Sequence, residues 1–120
     1  MGAFFLLRIN DHMQYLKKIN ATLEGRGDFQ GNDHQHCKLG QWIASVGPRE
    51  AAEAGAEATA LFEGIRGPHE KFHAASGRAL AFRAAGRQTE SQEEVTEMHR
   101  LSTALVDLLL GLDRTASVKA

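Results

Sequence analysis

The stretch Ala3–Leu23, AFFLLRINDHMQYLKKINATL, carries Phe5, Ile9, Met13, Leu16, Ile19 and Leu23 at spacings of three and four. Those spacings gather apolar side chains into one stripe of a helix with 3.6 residues per turn, so the segment reads as an amphipathic helix that needs partners. Gly25-Arg26-Gly27-Asp28 ends it. At its start, Phe4, Phe5, Leu6 and Leu7 cover nearly the whole circumference, more than one bundle can bury. Surplus apolar surface of that kind predicts association, most simply a homodimer.

Outward from this helix the same signature recurs. No alternating strand pattern is present, β-branched residues are few, and Ala, Leu, Glu and Arg dominate. A polar loop leads to Asn32-Asp33, either of which can cap a second helix over 34–45, closed by Gly47-Pro48. Residues 49–67 are Ala- and Glu-rich, with Leu61, Phe62 and Ile65 as their large apolar members, and read as a less regular helical connector. Pro68 fits the first position of a third helix that carries His69 and runs to about residue 85, before Gly86. Ser91 with Glu94 has the capping-box pattern for a last helix, whose seam is Val95, Met98, Ser102, Leu105, Leu109 and Leu112. Four sizeable helices around one core predict an all-α four-helix bundle with a short irregular helical connector. Residues 1–120 read as a single domain with its core over about 3–113.

Composition narrows the classes. With 42% hydrophobic and 24% charged residues and a net charge of −1, the chain reads as an ordinary soluble protein. Lys and Arg are scattered, leaving no electrostatic footprint for nucleic acid. Arg8 and Asn10 interrupt the apolar start too early for an export signal, and no stretch is long enough to cross a bilayer. A cytoplasmic protein is the expectation. Cys37 is the sole cysteine and has no disulfide partner within the chain.

Chemistry concentrates in a few residues. His69 and His73 stand four apart on one helix, so both imidazoles project from the same face as a chelating pair. Cys37, in His36-Cys37-Lys38-Leu39-Gly40-Gln41-Trp42, offers a thiolate, a strong zinc ligand. Gly40, one turn on, would let a neighbouring helix approach closely, and Trp42 would cover the site. His12 follows Ile9 by three and precedes Leu16 by four, which places an ionisable ring on an apolar face. It is either the fourth ligand or a core histidine bonded to a carbonyl. His34, three residues before Cys37, is the substitute candidate. His36 should point elsewhere, and His99 should be exposed.

Together these residues resemble the chemoreceptor zinc-binding domain family. That family has a His ligand on its first helix, a Cys-x-Leu-Gly-x-Trp-like segment and a downstream His-x-x-x-His. Here they read as His12, as Cys37-Lys38-Leu39-Gly40-Gln41-Trp42, and as His69-Glu70-Lys71-Phe72-His73. Where the family commonly carries Trp three residues after its first His, this chain has Tyr15. The resemblance implies a helical bundle holding one zinc through His12, Cys37, His69 and His73, with a sensory role and no catalysis. It also implies a dimeric assembly and outputs such as chemoreceptors or diguanylate cyclases. Since only residues 113–120 follow Leu112, the expected effector is a separate polypeptide, or the domain responds to zinc in its own right. A zinc-bound Cys37 is further expected to act as an oxidant-sensitive switch if it is accessible.

Two other readings use the same residues. His69-Glu70-Lys71-Phe72-His73 is literally H-E-x-x-H, the signature of zinc metallopeptidases in which the Glu is the general base. A peptidase needs an open coordination position and usually a strand edge for its substrate, whereas four protein ligands close the site. A di-iron bundle would recruit Glu63 and Glu70, but lacks the paired Glu-x-x-His pattern and leaves Cys37 without a task.

Overall fold

α1 spans Ala3–Leu23, the whole of the amphipathic segment, and is followed by α2 (Lys38–Ala44), α3 (Gly47–Ala54), α4 (Ala56–Gly64), α5 (Arg66–Ala84) and α6 (Gln88–Lys119). The structure, a computed structural model, describes the backbone of residues 3–119 and the side chains of residues 5–116. The protein is all-helical and forms a bundle with a helical connector. α5 and α6 make the most extensive pairing, joined by residues 85–87, and α1 packs against both. At a rise of about 1.5 Å per residue, the 32 residues of α6 extend about 48 Å. This one helix therefore accounts for the 50 Å long axis of the molecule.

The elements differ in detail from their sequence outlines. The second helix begins at Lys38 rather than at 34, because Asp33 caps a tight turn first: its Oδ1 accepts the backbone N–H groups of Gln35 at 2.9 Å and His36 at 3.1 Å. Gly47-Pro48 opens α3 instead of closing α2, with Pro48 in the first turn where its missing N–H is harmless. The connector is two regular helices, broken at Gly55, whose φ of 112° only glycine adopts readily. α5 starts at Arg66, slightly ahead of Pro68. α6 starts at Gln88, so Ser91 lies inside it and forms no capping box. Its hydroxyl donates to the Ala79 carbonyl at 2.9 Å and ties α6 to α5, while Glu94 pairs with Arg78 at 3.1 Å.

The core falls into two apolar clusters. One gathers Phe5, Leu39, Trp42, Ile43, Phe62, Ile65, Leu105, Leu109 and Leu112 from α1, the short helices and the C-terminal half of α6. The other joins Leu16, Ile19, Phe72, Ala75, Leu80, Met98 and Leu101 from α1, α5 and α6. Fully burying a side chain such as Phe62 or Phe72 is worth about 1.5–3 kcal/mol, so both clusters hold their helices firmly. Between them lies a polar layer. His12 separates Ile9 from Leu16 on α1, His69 separates Ile65, the N-cap of α5, from Phe72, and Ser102 separates Leu101 from Leu105 on α6.

The α1 stripe carries one correction. Met13 is 43% exposed, and His12 takes its place in the inward row, where Phe5, His12, Leu16 and Ile19 are buried and Ile9 and Leu23 partly buried. At the start of α1, Phe5 is buried while Leu6 and Leu7 are 49% and 50% exposed. Phe4 lies outside the described side chains. Among the described residues no helix is long and apolar enough to cross a membrane.

Candidate metal centre

Cys37 is the N-cap of α2, in extended backbone conformation, and its sulfur accepts the Gly40 N–H at 3.2 Å. The cap geometry turns the sulfur inward, towards the helix that carries His69. Gly40 is required for a reason other than helix approach: a Cβ at this position would stand 1.7 Å from the His34 carbonyl oxygen. The turn that delivers Cys37 folds back directly over the first turn of its own helix. Trp42 is buried in the same apolar cluster as Cys37. It packs edge-on against Phe5 and Phe62 and donates its Nε1–H to Glu50.

α5 presents His69 and His73 one turn apart, with ring centroids 4.8 Å apart. Cys37 Sγ lies 3.2 Å from His69 Nε2. Donor atoms of Cys37, His69 and His73 all fall within 4.8 Å of one another, and all three residues are buried. A tetrahedral zinc, with nitrogen at about 2.0–2.1 Å and sulfur at about 2.3 Å, sets its donors about 3.3–3.8 Å apart. The cluster meets that requirement with only small adjustments, and its sulfur and imidazole donors suit zinc, so the residues fit the ion.

The surroundings orient these donors. His73 Nδ1 lies 2.8 Å from the Asn32 carbonyl oxygen, which accepts its N–H and leaves Nε2 as the lone-pair nitrogen. Asn32 is itself held by Tyr15, whose hydroxyl accepts the Asn32 N–H and donates to the Asn32 carbonyl, both at 2.9 Å. The Tyr15 ring also stands against His73, with centroids 4.7 Å apart. Neither Asn32 nor this use of Tyr15 stood out in the sequence, since a carbonyl belongs to every residue. Ser102, a buried hydroxyl in the apolar seam of α6, is a signal the sequence did contain for a polar layer at this level.

His12 borders the same cleft, of about 400 Å³, as the other three residues, but it is not within the tight cluster. Its Nε2 lies 2.8 Å from Ser102 Oγ, and its ring meets Phe72 edge-on. The remaining histidines stand apart. His34 Nε2 is 3.2 Å from Glu70 Oε1, with its ring edge-on to His69. His36 is exposed and bonded to Asp33, and His99 is exposed. Glu63 is exposed and bonded to Arg66.

Burial dominates the electrostatics. It pulls His12 down to about 4, helped by the charge of His73. It pulls His69 down to about 3, with His73, His12 and His34 adding repulsion. His73 is lowered too, burial outweighing its bond to the Asn32 carbonyl. At neutral pH these rings are therefore neutral, the form that donates a lone pair to a metal. Burial raises the Cys37 thiol, opposed first by the Gly40 N–H. Metal binding at this sulfur must displace its proton.

The sequence model of the chemoreceptor zinc-binding domain matches residues 12–80, more than half of the chain, from His12 through the whole of the Cys37, His69 and His73 cluster. No curated protein and no solved structure matches the chain. The matched segment stops short of α6. With the sulfur and imidazole cluster already assembled by the fold, this match decides the family: the chain belongs to the chemoreceptor zinc-binding domains.

Proposed function

We propose that this protein is a zinc-responsive sensory or regulatory unit whose ion is held by His12, Cys37, His69 and His73, and whose occupancy is read by a partner. The family supplies the zinc-binding sensory class, and the cluster of Cys37, His69 and His73 is the observation that carries the reading. His12 as fourth ligand rests on its place in the shared cleft, its burial and its neutrality at physiological pH.

The ion supplies a crosslink between α1, the N-terminus of α2 and α5. The protein's own residues do the rest. Gly40 lets the Cys37 turn close, Asn32 and Tyr15 orient His73, and the two apolar clusters exclude water from above and below the polar layer. Structural zinc contributes on the order of 10 kcal/mol in small metallo-domains, comparable with the whole stability of a domain this size. Occupancy therefore shifts the stability and relative positions of α1 and α5, and a surface that includes them can report it.

A homodimer with a cytoplasmic location fits this role, and the exposed Leu6 and Leu7 offer the apolar surface for it. A chemoreceptor or a diguanylate cyclase is the output class the family suggests. The peptidase reading draws less support. Its would-be base Glu70 is turned to the surface and paired with His34, and four donors around one ion leave no position for an attacking water.

Elemental analysis of the purified protein, with circular dichroism before and after a strong chelator, tests the reading. One zinc per chain is expected, with a lower Tm but retained helicity on chelation. A protein that holds no zinc would overturn it.

A further inference from the structure

Ser102 is buried on α6, and its hydroxyl meets His12 Nε2 at 2.8 Å. It interrupts a seam in which Met98, Leu105, Leu109 and Leu112 are fully buried. A hydroxyl without a partner would be costly in that setting, and His12 is the partner the structure gives it. We propose that Ser102 is a positioning residue of the zinc site: it accepts the Nε2–H of His12, so that Nδ1 carries the lone pair offered to the ion. The proposal rests on the reading of His12 as the fourth ligand, and it adds an element outside the family's matched segment of 12–80.

Three observations carry it. Nε2 is engaged by Ser102, while Nδ1 has no hydrogen-bond partner among the described residues, although the ring borders the cleft shared with Cys37, His69 and His73. His73 uses the same device with the opposite nitrogen, its Nδ1–H going to Asn32 and its Nε2 left for the metal. The Phe72 ring stands edge-on to the His12 ring, with centroids 4.7 Å apart, and limits how far the imidazole can swing. Ligating histidines generally donate their second N–H to a fixed acceptor, which holds both tautomer and ring plane.

The consequence is a route from metal to α6. With a cation bound at Nδ1, the His12 Nε2–H would be a stronger donor to Ser102, and occupancy would tighten α1 against α6 through this bond. By linkage, the same bond strengthens the hold on the ion. Ser102 is thus the contact by which a helix as long as the molecule feels a site built by α1, α2 and α5.

The experiment compares wild type, Ser102→Ala and Ser102→Thr by zinc competition with a chromophoric chelator, alongside circular dichroism. It adds nitrogen-15 and cadmium-113 NMR on the cadmium-loaded wild type. Ser102→Ala should bind zinc about 10–100-fold more weakly with unchanged helicity, and Ser102→Thr, which keeps the hydroxyl, should recover most of the affinity. Cadmium should couple to His12 Nδ1, with the proton on Nε2. Equal affinity in a folded Ser102→Ala, a threonine variant as weak as the alanine one, or coupling through Nε2 would each overturn the proposal. The NMR result decides even if Ser102→Ala fails to fold. A wild type without zinc, or one whose zinc is indifferent to His12→Ala, would overturn the four-ligand reading as well, whereas zinc dependent on His12 but indifferent to Ser102 overturns this proposal alone.

Discussion

Cys37 Sγ stands 3.2 Å from His69 Nε2, although the two residues are 32 positions apart and belong to helices separated by two others. A buried sulfur and a buried imidazole brought this close, with His73 beside them, form the three-donor part of the site that needs only small adjustments to take an ion. Cys37→Ala, His69→Ala and His73→Ala should therefore each lower zinc affinity by orders of magnitude, and His12→Ala should do the same. His34→Ala, His36→Ala and His99→Ala should retain one zinc per chain. Metal analysis after dialysis against a mild chelator separates the two groups, and an essential His34 with a dispensable His12 would reassign the fourth ligand.

Gly40→Ala tests the turn that delivers the sulfur. Its methyl would collide with the His34 carbonyl, a backbone atom that cannot swing aside, so the 34–37 turn must open and carry Cys37 with it. Overpacking of this severity costs about 1–3 kcal/mol or more. A clear fall in Tm together with weakened zinc binding is expected. Unchanged values for both would show that the turn yields easily.

Acid should weaken the metal-free protein for a reason that can be signed. His12 and His69 sit at about 4 and about 3 in the fold, against about 6.5 when exposed. Below about 6.5 the unfolded chain takes up protons that the fold refuses. Stability present above that pH therefore declines as the pH falls, until His12 and then His69 protonate in place. Thermal melts of the metal-free chain between about pH 7 and pH 3 should show Tm falling throughout this window. A neutral replacement such as His12→Asn should flatten the slope. A Tm independent of pH above about 4 would contradict the burial of these rings as neutral groups.

Oxidation tests access to the sulfur. Cys37 is buried, yet it borders the cleft of about 400 Å³. Hypochlorous acid transfers oxygen to a thiolate, giving the sulfenic acid and chloride, and this removes the sulfur ligand. Titration should add one oxygen to the chain and release zinc, with reversal by a thiol reductant. Oxidation confined to the methionines, led by the exposed Met13, with zinc retained, would show that the cleft does not admit the oxidant.

Association is expected through the exposed start of α1. Leu6 and Leu7 are half exposed on neighbouring positions. The double substitution Leu6→Glu with Leu7→Glu should convert a dimer to a monomer while leaving zinc content unchanged. Light scattering at about tens of micromolar reads the outcome, and a monomeric wild type would remove the case for this surface.

The local periodicity of the chain was enough to determine that it is helical, where α1 begins and ends, and that His69 and His73 share a face, because those depend on spacing along a single helix. The segment around Cys37 marked a candidate sulfur ligand by residue type and by its likeness to the family's Cys-x-Leu-Gly-x-Trp pattern rather than by spacing. Other features depended on contacts between distant residues. Met13 and His12 compete for one stripe, and only packing against Phe72 and Ser102 decided that the imidazole goes inside. Ser91 had the pattern of a cap, but the approach of α5 offered it the Ala79 carbonyl instead. Gly40 answers to a carbonyl six residues earlier that the turn brings back, and His73 is oriented by a backbone oxygen that no residue type announces. Spacing along a helix is set by covalent geometry and can be read directly, whereas which polar group meets which across the layer between two apolar clusters is settled only when the helices pack.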